Sequence, residues 1–348
     1  ELSVDADGEK EARVRFDGLN EAQLSAVTAP EKSVAVVAGP GTGKTKTLVS
    51  KIAYLIEKLG VKPSEITAVT FTNKAAGEMR ERLEKRLGGK RAVRGLTVGT
   101  FHAICLQLLQ QLVGDVFVMD EAAAQEIAAG VIRQQGLKLK PAGFLREVSV
   151  CRQKGEKQTE LLPGPAYLAY EQHLDAAGLT DLDGLLIKTL ALWEQGHGEK
   201  AGKRFRYLLV DEFQDINDIQ YQLVRAWSGT GDGLFVIGDP DQAIYGFRGA
   251  NSYCFATLMA DEPATRQIAL TENYRSTPQI LHCALGVMEG DGKGKRQLAA
   301  HAPDGAAVHL LTAPSPLSEG IFVAKQINRL VGGVDMLDAH DMRFVLEN

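Results

Sequence analysis

The sequence predicts an α/β fold built on a parallel sheet and interrupted by a helical insert, on three observations. The apolar run Ser33–Ala38 has strand length and ends in a glycine-rich loop, after which Leu48, Ile52, Leu55, Ile56 and Leu59 keep the one-sided spacing of a helix. A second apolar run, 66–71, leads into another helical stretch. Strand character then lapses and returns at Tyr207–Val210 and 234–237, each run followed by acidic residues. Strand, glycine loop, helix and strand in alternation is the pattern of a sheet whose parallel neighbours are joined by crossovers.

Taken in order, residues 19–27 read as a short helix ahead of the first strand, and Gly60 stops the helix over 47–59. The second strand feeds a charged helix over 74–87. From Phe101 to about residue 202 the stripes are helical, as at Ile104, Leu108, Leu109 and Leu112, with an alanine-rich segment at 121–132 and a Pro163-Gly164-Pro165 break. Those leucines read as core. Glycine and charge around 289–296 predict a mobile surface stretch, followed by a strand over 308–311 and a helix over 320–330 of a third unit.

At 348 residues the chain has room for two or three domains, and 45% apolar with 24% charged residues fits a soluble globular protein. A net charge of −5 excludes holding nucleic acid through bulk positive charge, so any such contact must be local. One basic patch is available between Lys74 and Arg94, where Arg80, Arg82, Lys85, Arg86, Lys90 and Arg91 outnumber the acids; the alternative is a solvated helix face. Cys105, Cys151, Cys254 and Cys283 have neither disulfide-framework nor zinc spacing, which fits a reducing cytoplasm. No apolar run approaches the roughly 18–20 residues that span a bilayer, and no membrane partner is expected. A start at Glu1 instead of Met leads to the expectation of a chain cut from a longer protein.

The strongest chemical signal is Gly39-Pro40-Gly41-Thr42-Gly43-Lys44-Thr45, a G-x-x-x-x-G-K-[ST] loop placed between a buried strand and a helix. Glycines let backbone N–H groups converge on phosphate oxygens, and the helix N-terminus adds partial positive charge. In such a loop Lys44 reaches the β- and γ-phosphates and Thr45 offers its hydroxyl to Mg²⁺. Asp211 and Glu212 end a later buried strand, where an open sheet exposes its site. Asp211 suits a hold on Mg²⁺ and Glu212 suits polarising an attacking water; alone, the pair would read equally as a helix cap or a solvated loop.

With the segment 211–215, Asp-Glu-Phe-Gln-Asp, the sequence resembles the superfamily 1A DNA helicases of the UvrD/Rep/PcrA family, and further motifs follow in the family's order. Residues 19–23, ending in Gln23, are similar to the Q motif, 68–76 to motif Ia and 98–103 to the next DNA-contacting motif. Residues 235–250 are similar to motif III and 270–276 to motif IV. The resemblance implies a RecA-like P-loop sheet with a helical insertion (1B) and the beginning of a second RecA-like domain (2A). Implied boundaries are an extension over 1–15, subdomain 1A over 16–102 and 203–270, 1B over 103–202, and partial 2A over 271–348.

The resemblance implies ATP and Mg²⁺ as cofactors, single-stranded DNA and DNA junctions as partners, 3′ to 5′ movement, and a monomeric fragment. Gln23 then reads the adenine edge, Tyr274 stacks on the base, and Arg275 stabilises charge on the γ-phosphoryl. Lys46, in place of the family's usual arginine, completes the nucleotide set. Gln242 lies just past a strand end, in reach of the γ-phosphate, a short loop from Tyr245, Phe247 and Arg248. Rings beside a guanidinium suit base stacking without sequence readout, at about 1–3 kcal/mol per base. Phe71, Thr72 and Asn73 end a strand beside the basic helix, suited to backbone phosphates, with Thr100, Phe101 and His102 as parallel candidates; His102 read alone is a cap or core histidine.

Residues 181–186 resemble the close of the 1B subdomain, with Gly184 in place of an acid, and read as a helix N-terminus packing on the motor. Motifs V and VI have no counterpart before Asn348, so slow turnover is expected of this chain alone. An ATP-gated binding or docking module that never translocates, or an ordinary P-loop kinase, is the competing reading.

Overall fold

The computed structural model describes residues 18–243, 253–289 and 297–332. The expected 1–15 extension and most of the 289–296 stretch lie outside them. Helix α1 (Glu21–Thr28) opens on a reciprocal cap: the Asn20 side chain accepts the Gln23 amide, and the Gln23 side chain accepts the Asn20 amide. Strand β1 (Ser33–Ala38) runs into the phosphate loop and then helix α2 (Lys44–Glu57). On α2, buried Lys51 donates to the Val27 and Ala29 carbonyls at 3.0 and 3.2 Å, closing the C-terminal end of α1. Burial pulls that amine down to about 8.

Strand β2 (Ile66–Val69), helix α3 (Asn73–Arg86) and strand β3 (Thr97–Gly99) repeat the pattern, with Thr72 capping α3 and Thr100 capping the next helix, α4 (Phe101–Val113). The helical stretch continues with β4 (Phe117–Val118), α5 (Glu121–Gln134), α6 (Pro141–Lys154), α7 (Gly164–Ala177), β5 (Leu179–Thr180) and α8 (Leu182–Glu194). The Pro-Gly-Pro segment is the start of α7, with Pro163 at the N-cap, where a missing N–H costs nothing. Sheet structure resumes with β6 (Tyr207–Val210), α9 (Asp218–Ser228), β7 (Gly233–Gly238), α10 (Cys254–Asp261) and β8 (Arg266–Leu270). Beyond them come β9 (Glu272–Asn273), α11 (Pro278–Glu289), β10 (Ala299–Ala300) and α12 (Pro316–Leu330).

The central sheet has the order β3-β2-β6-β7-β1-β8 with every pair parallel. Both faces are covered, and strand residues alternate between them. Leu208, Val210, Leu234 and Val236 point into a core with α4, α8, α9 and α10, whereas Leu209, Phe235 and Ile237 point into a core with α1, α2 and α3. A third core lies among α5, α6 and α7, around Ala128, Val131, Phe144, Val148, Tyr170 and Leu174.

The expected helical insert is thus divided by its packing. Ile104, Cys105, Leu108, Leu185 and Leu186 put α4 and α8 on the sheet, because their apolar stripes find the β6 and β7 face. Buried Arg152 of α6 ties the halves together through Glu171 of α7 and Asp181, at 2.9 and 2.6 Å. Asp181 also caps α8 by accepting the Gly184 amide at 2.7 Å. A Cβ on Gly184 would stand 2.4 Å from the Thr180 hydroxyl, so the cap leaves no room for a side chain there.

One expected element does not form. Residues 308–311 are irregular, with Leu310 97% exposed, because a strand exists only through a paired neighbour and none lies alongside among the described residues. Helix α12 follows as expected, with none of its residues buried.

Trp227 anchors the α4 and α9 face, its ring stacked between Phe205 and Phe101 at 4.6 and 5.8 Å with its buried indole N–H unpartnered. Trp227→Ala is expected to cost about 3–5 kcal/mol in urea unfolding. Trp227→Phe should cost much less, since it keeps a ring and removes an unsatisfied donor.

Candidate active site

All six parallel strands finish at one edge of the sheet, and each hands over to a segment singled out by the sequence. In sheet order, β3 leads to Thr100, β2 to Phe71 and Asn73, and β6 to Asp211 and Glu212. Beside them, β7 leads to Asp239 and Gln242, β1 to the phosphate loop, and β8 to the segment from Glu272 to Arg275. The expected DNA-contacting positions after β2 and β3 therefore lie on one side of the β6 carboxylates, and the phosphate loop and the segment from Glu272 to Arg275 on the other.

The phosphate loop is crowded at every alternate residue. A Cβ at Gly39 would meet Leu298 at 2.8 Å, one at Gly41 would meet Arg275 and Asn273 at 2.7 and 2.8 Å, and one at Gly43 would meet Gln23 at 2.7 Å. Gly41 and Gly43 also have φ of 67° and 84°, in the left-handed region open to glycine. Thr42 donates its hydroxyl to the Gly39 carbonyl at 2.7 Å and accepts the Gln23 amide on its own carbonyl at 2.8 Å. Buried Asn273 clips the far segment onto the loop: its Nδ2 donates to the Pro40 carbonyl at 2.6 Å, and the Tyr274 N–H donates to the Gly41 carbonyl at 2.9 Å. Lys46 donates to the Gly18 carbonyl and lines the cavity that opens over the loop.

A cavity of about 360 Å³ opens here, lined by Lys44, Thr45, Glu212, Gln242, Tyr274 and Arg275. Arg82 of α3, a member of the basic patch, lines it as well. Arg86, from the same patch, donates to Ser50 on α2 at 3.1 Å. Arg86 thus packs on α2, while exposed Arg82 borders the cavity and lies 3.9 Å from Glu78 one turn back, the solvated i,i+4 arrangement.

Lys44 Nζ lies 3.6 Å from Glu212 Oε2. Glu212 alone among the described non-glycine residues has positive φ, at 47°, a backbone cost that recurs where a side chain must be aimed. Its aim is fixed by buried Gln214, whose Nε2 donates to Glu212 at 3.0 Å and to Asp215 at 3.1 Å. The Gln214 carbonyl oxygen accepts the Asp239 N–H at 2.8 Å, and Asp239 accepts the Gln242 side-chain amide at 2.9 Å. A Cβ on Gly238 would stand 2.2 Å from that Gln214 oxygen. Gln214 and Asp239, absent from the residues expected at the site, therefore join the ends of β6 and β7; their only sequence signal was membership of the two motifs.

Burial raises the Asp211 carboxyl to about 6, reinforced by the Glu212 charge and opposed by Lys44. Asp215 rises to about 6 for the same reasons, and its Oδ1 is buried without a hydrogen-bond partner. These carboxylate oxygens, one of them orphaned, are of the hard-oxygen type Mg²⁺ takes, although among the described residues no three His, Cys, Asp or Glu side chains converge as a metal site by themselves.

Of the residues expected to touch DNA, Phe71 is 40% exposed, Thr72 caps α3 and exposed Asn73 begins it. Thr100 caps α4, and half-buried His102 has its pKa lowered by burial, with Asp183 opposing. Phe101 departs from expectation: it is 6% exposed and stacked on Trp227, since the first turn of α4 turns its ring toward the sheet, so that ring is core. Tyr245, Phe247 and Arg248 lie outside the described residues. No described helix is long and apolar enough to cross a membrane.

The family model of the UvrD/REP helicase N-terminal domain matches residues 19–263. DNA helicase II of Escherichia coli is 35% identical over 333 residues, 90% of this chain and 46% of that protein. ATP-dependent DNA helicase UvrD1 of Mycobacterium tuberculosis is 34% identical over 354 residues, 92% of this chain and 46% of its own length. ATP-dependent DNA helicase PcrA of Staphylococcus aureus is 31% identical over 331 residues, covering 89% and 45%. The chain spans about half the length of the curated relatives it matches.

A carboxyl raised from 3.8 to about 6 by folding binds its proton more tightly in the folded state, so its cost to stability grows as pH rises from about 4 to 6 and is full above that. Asp211→Asn is accordingly expected to stabilise the ligand-free chain by about 1–3 kcal/mol at pH 7.5 and to leave it unchanged near pH 4. Thermal unfolding at the two pH values checks this.

Proposed function

The chain belongs to the UvrD/REP helicase N-terminal domain family, and from that premise we propose that it carries the ATP-hydrolysing core of a DNA helicase moving 3′ to 5′ along single-stranded DNA. The observation that carries the reading is the hydrogen-bonded run Glu212–Gln214–Asp239–Gln242, which ends where residues 244–252 begin. It joins the carboxylate suited to water activation with the glutamine suited to sensing a γ-phosphate. Tyr245, Phe247 and Arg248, the proposed base-holding group, follow directly in sequence.

In this reading Lys44 exchanges its ion pair with Glu212 for the triphosphate when nucleotide enters, freeing the carboxylate to take a proton from water. Arg275 and Arg82 bring positive charge to the same cavity, and Gln242 lines it. Thr45 and Asp211 would hold Mg²⁺, with Asp215 beside them; the ion would neutralise charge on the phosphate oxygens. Gln23 and Tyr274 serve the base, and Gly39, Pro40, Gly41, Thr42 and Gly43 the phosphates, with Lys46 at their margin. Phe71, Thr72, Asn73, Thr100 and His102 track the DNA backbone.

The 1A, 1B and 2A division is retained in this proposal, with α4 and α8 as the part of 1B that rests on the motor. The resemblance implies a second catalytic arginine in motif VI, which has no counterpart in residues 1–348, so this chain alone is proposed to turn over ATP slowly.

Steady-state hydrolysis with and without a single-stranded oligonucleotide tests the reading. The chain should be stimulated by single strands, and Glu212→Gln should keep ATP binding while lowering turnover by about 100-fold or more. Unchanged turnover in Glu212→Gln, or no response to oligonucleotide, favours a binding module that does not translocate.

A further inference from the structure

Tyr274 is held by a set of side chains outside the motifs' proposed chemistry. Its hydroxyl donates to Glu272 Oε2 at 2.5 Å, and Asn20 Nδ2 donates to the same oxygen and to the tyrosine hydroxyl, both at 3.0 Å. His301 Nε2 lies 3.1 Å from that Glu272 oxygen, and the His301 ring stacks on the Tyr274 ring with centroids 4.6 Å apart and planes 22° from parallel. The histidine is itself placed by the backbone: β10 pairs with β9, and the His301 N–H donates to the Asn273 carbonyl at 2.8 Å.

These contacts form one path. From the phosphate loop, the Thr42 carbonyl holds Gln23, Gln23 and Asn20 cap each other, Asn20 reaches Glu272 and Tyr274, and His301 backs the ring. Tyr274 is 48% exposed and lines the cavity, so an unheld ring there would lose rotational freedom on meeting a ligand. With its hydroxyl anchored on Glu272 and one face covered by His301, the opposite face is what remains for a base. The Glu272 hydrogen bond also raises the phenol pKa, and the tyrosine and Asn20 bonds lower that of Glu272, as expected of a phenol donating to a carboxylate.

We propose that Glu272 and His301 are positioning residues for nucleobase recognition, acting through Tyr274 to pre-orient the face on which the adenine stacks. The inference rests on the nucleotide-site reading above and adds to it two residues whose effect is confined to the base.

The test uses the full chain with Mg²⁺ and compares, by calorimetry, binding of ATP with binding of inorganic tripolyphosphate, which has the charge but no base. Wild type should prefer ATP. His301→Ala and Glu272→Ala should weaken ATP binding by about 3- to 10-fold with tripolyphosphate within twofold, and His301→Phe, which restores a stacking ring, should recover most of the loss. ATP affinity unchanged in both alanine variants, or both ligands weakened equally, overturns the inference and leaves the nucleotide site standing. A wild-type chain that binds neither ligand, or that does not favour ATP, overturns the nucleotide-site reading and this inference with it.

Discussion

A single buried amide sets the geometry on which the candidate site depends. Gln214 lies between the ends of β6 and β7, donating to Glu212 and Asp215 and accepting from the Asp239 backbone. Buried amides are costly to leave unpaired, so the spacing of these two strand ends is fixed by a hydrogen-bond requirement as much as by the sheet. The absent side chain at Gly238 lets the amide come this close. Glu212 and Gln242 are thereby joined by side chains and one backbone amide, with no helix in between.

Sheet order extends the same logic outward. The β6 carboxylates occupy an inner position, with β2 and β3 to one side and β7, β1 and β8 to the other. In the proposed reading, nucleotide and DNA segments then share one edge of one sheet, with the β6 carboxylates between the phosphate loop and the segments after β2 and β3. The segment after β8 closes over the phosphate loop through Asn273 and Tyr274, so residues distant in sequence build opposite walls of one cavity.

Much of this was legible in the residues. Strands β1 and β6 coincide with their apolar runs, because a strand buried on both faces leaves an uninterrupted apolar signature. The phosphate loop and the acidic pair were readable because their chemistry tolerates few residue types. Contacts made by chemically unremarkable residues were not readable. Arg86 carries the same charge whether it faces solvent or α2, and only the rotation of α3 decides between them. Phe101 sits in a motif that suggests a surface, yet the first turn of α4 points it at Trp227. The run at 308–311 has the apolarity of a strand, but hydrogen-bond pairing is a property of two segments and cannot be read from one.

The three glycines of the phosphate loop bear on how variation at this site is to be interpreted. Each abuts a protein neighbour, Leu298, the Asn273 and Arg275 pair, or Gln23, in addition to any phosphate it would cradle. Alanine at Gly41 would press on the Arg275 Cβ and the Asn273 amide, and at Gly43 on the Gln23 amide that holds the loop, both at positive φ, even in a molecule that never meets a triphosphate. At Gly39 it would displace only the end of the Leu298 side chain. Loss of activity in such a variant is ambiguous evidence of lost ligand contact, and the ligand-free fold is the control that resolves it.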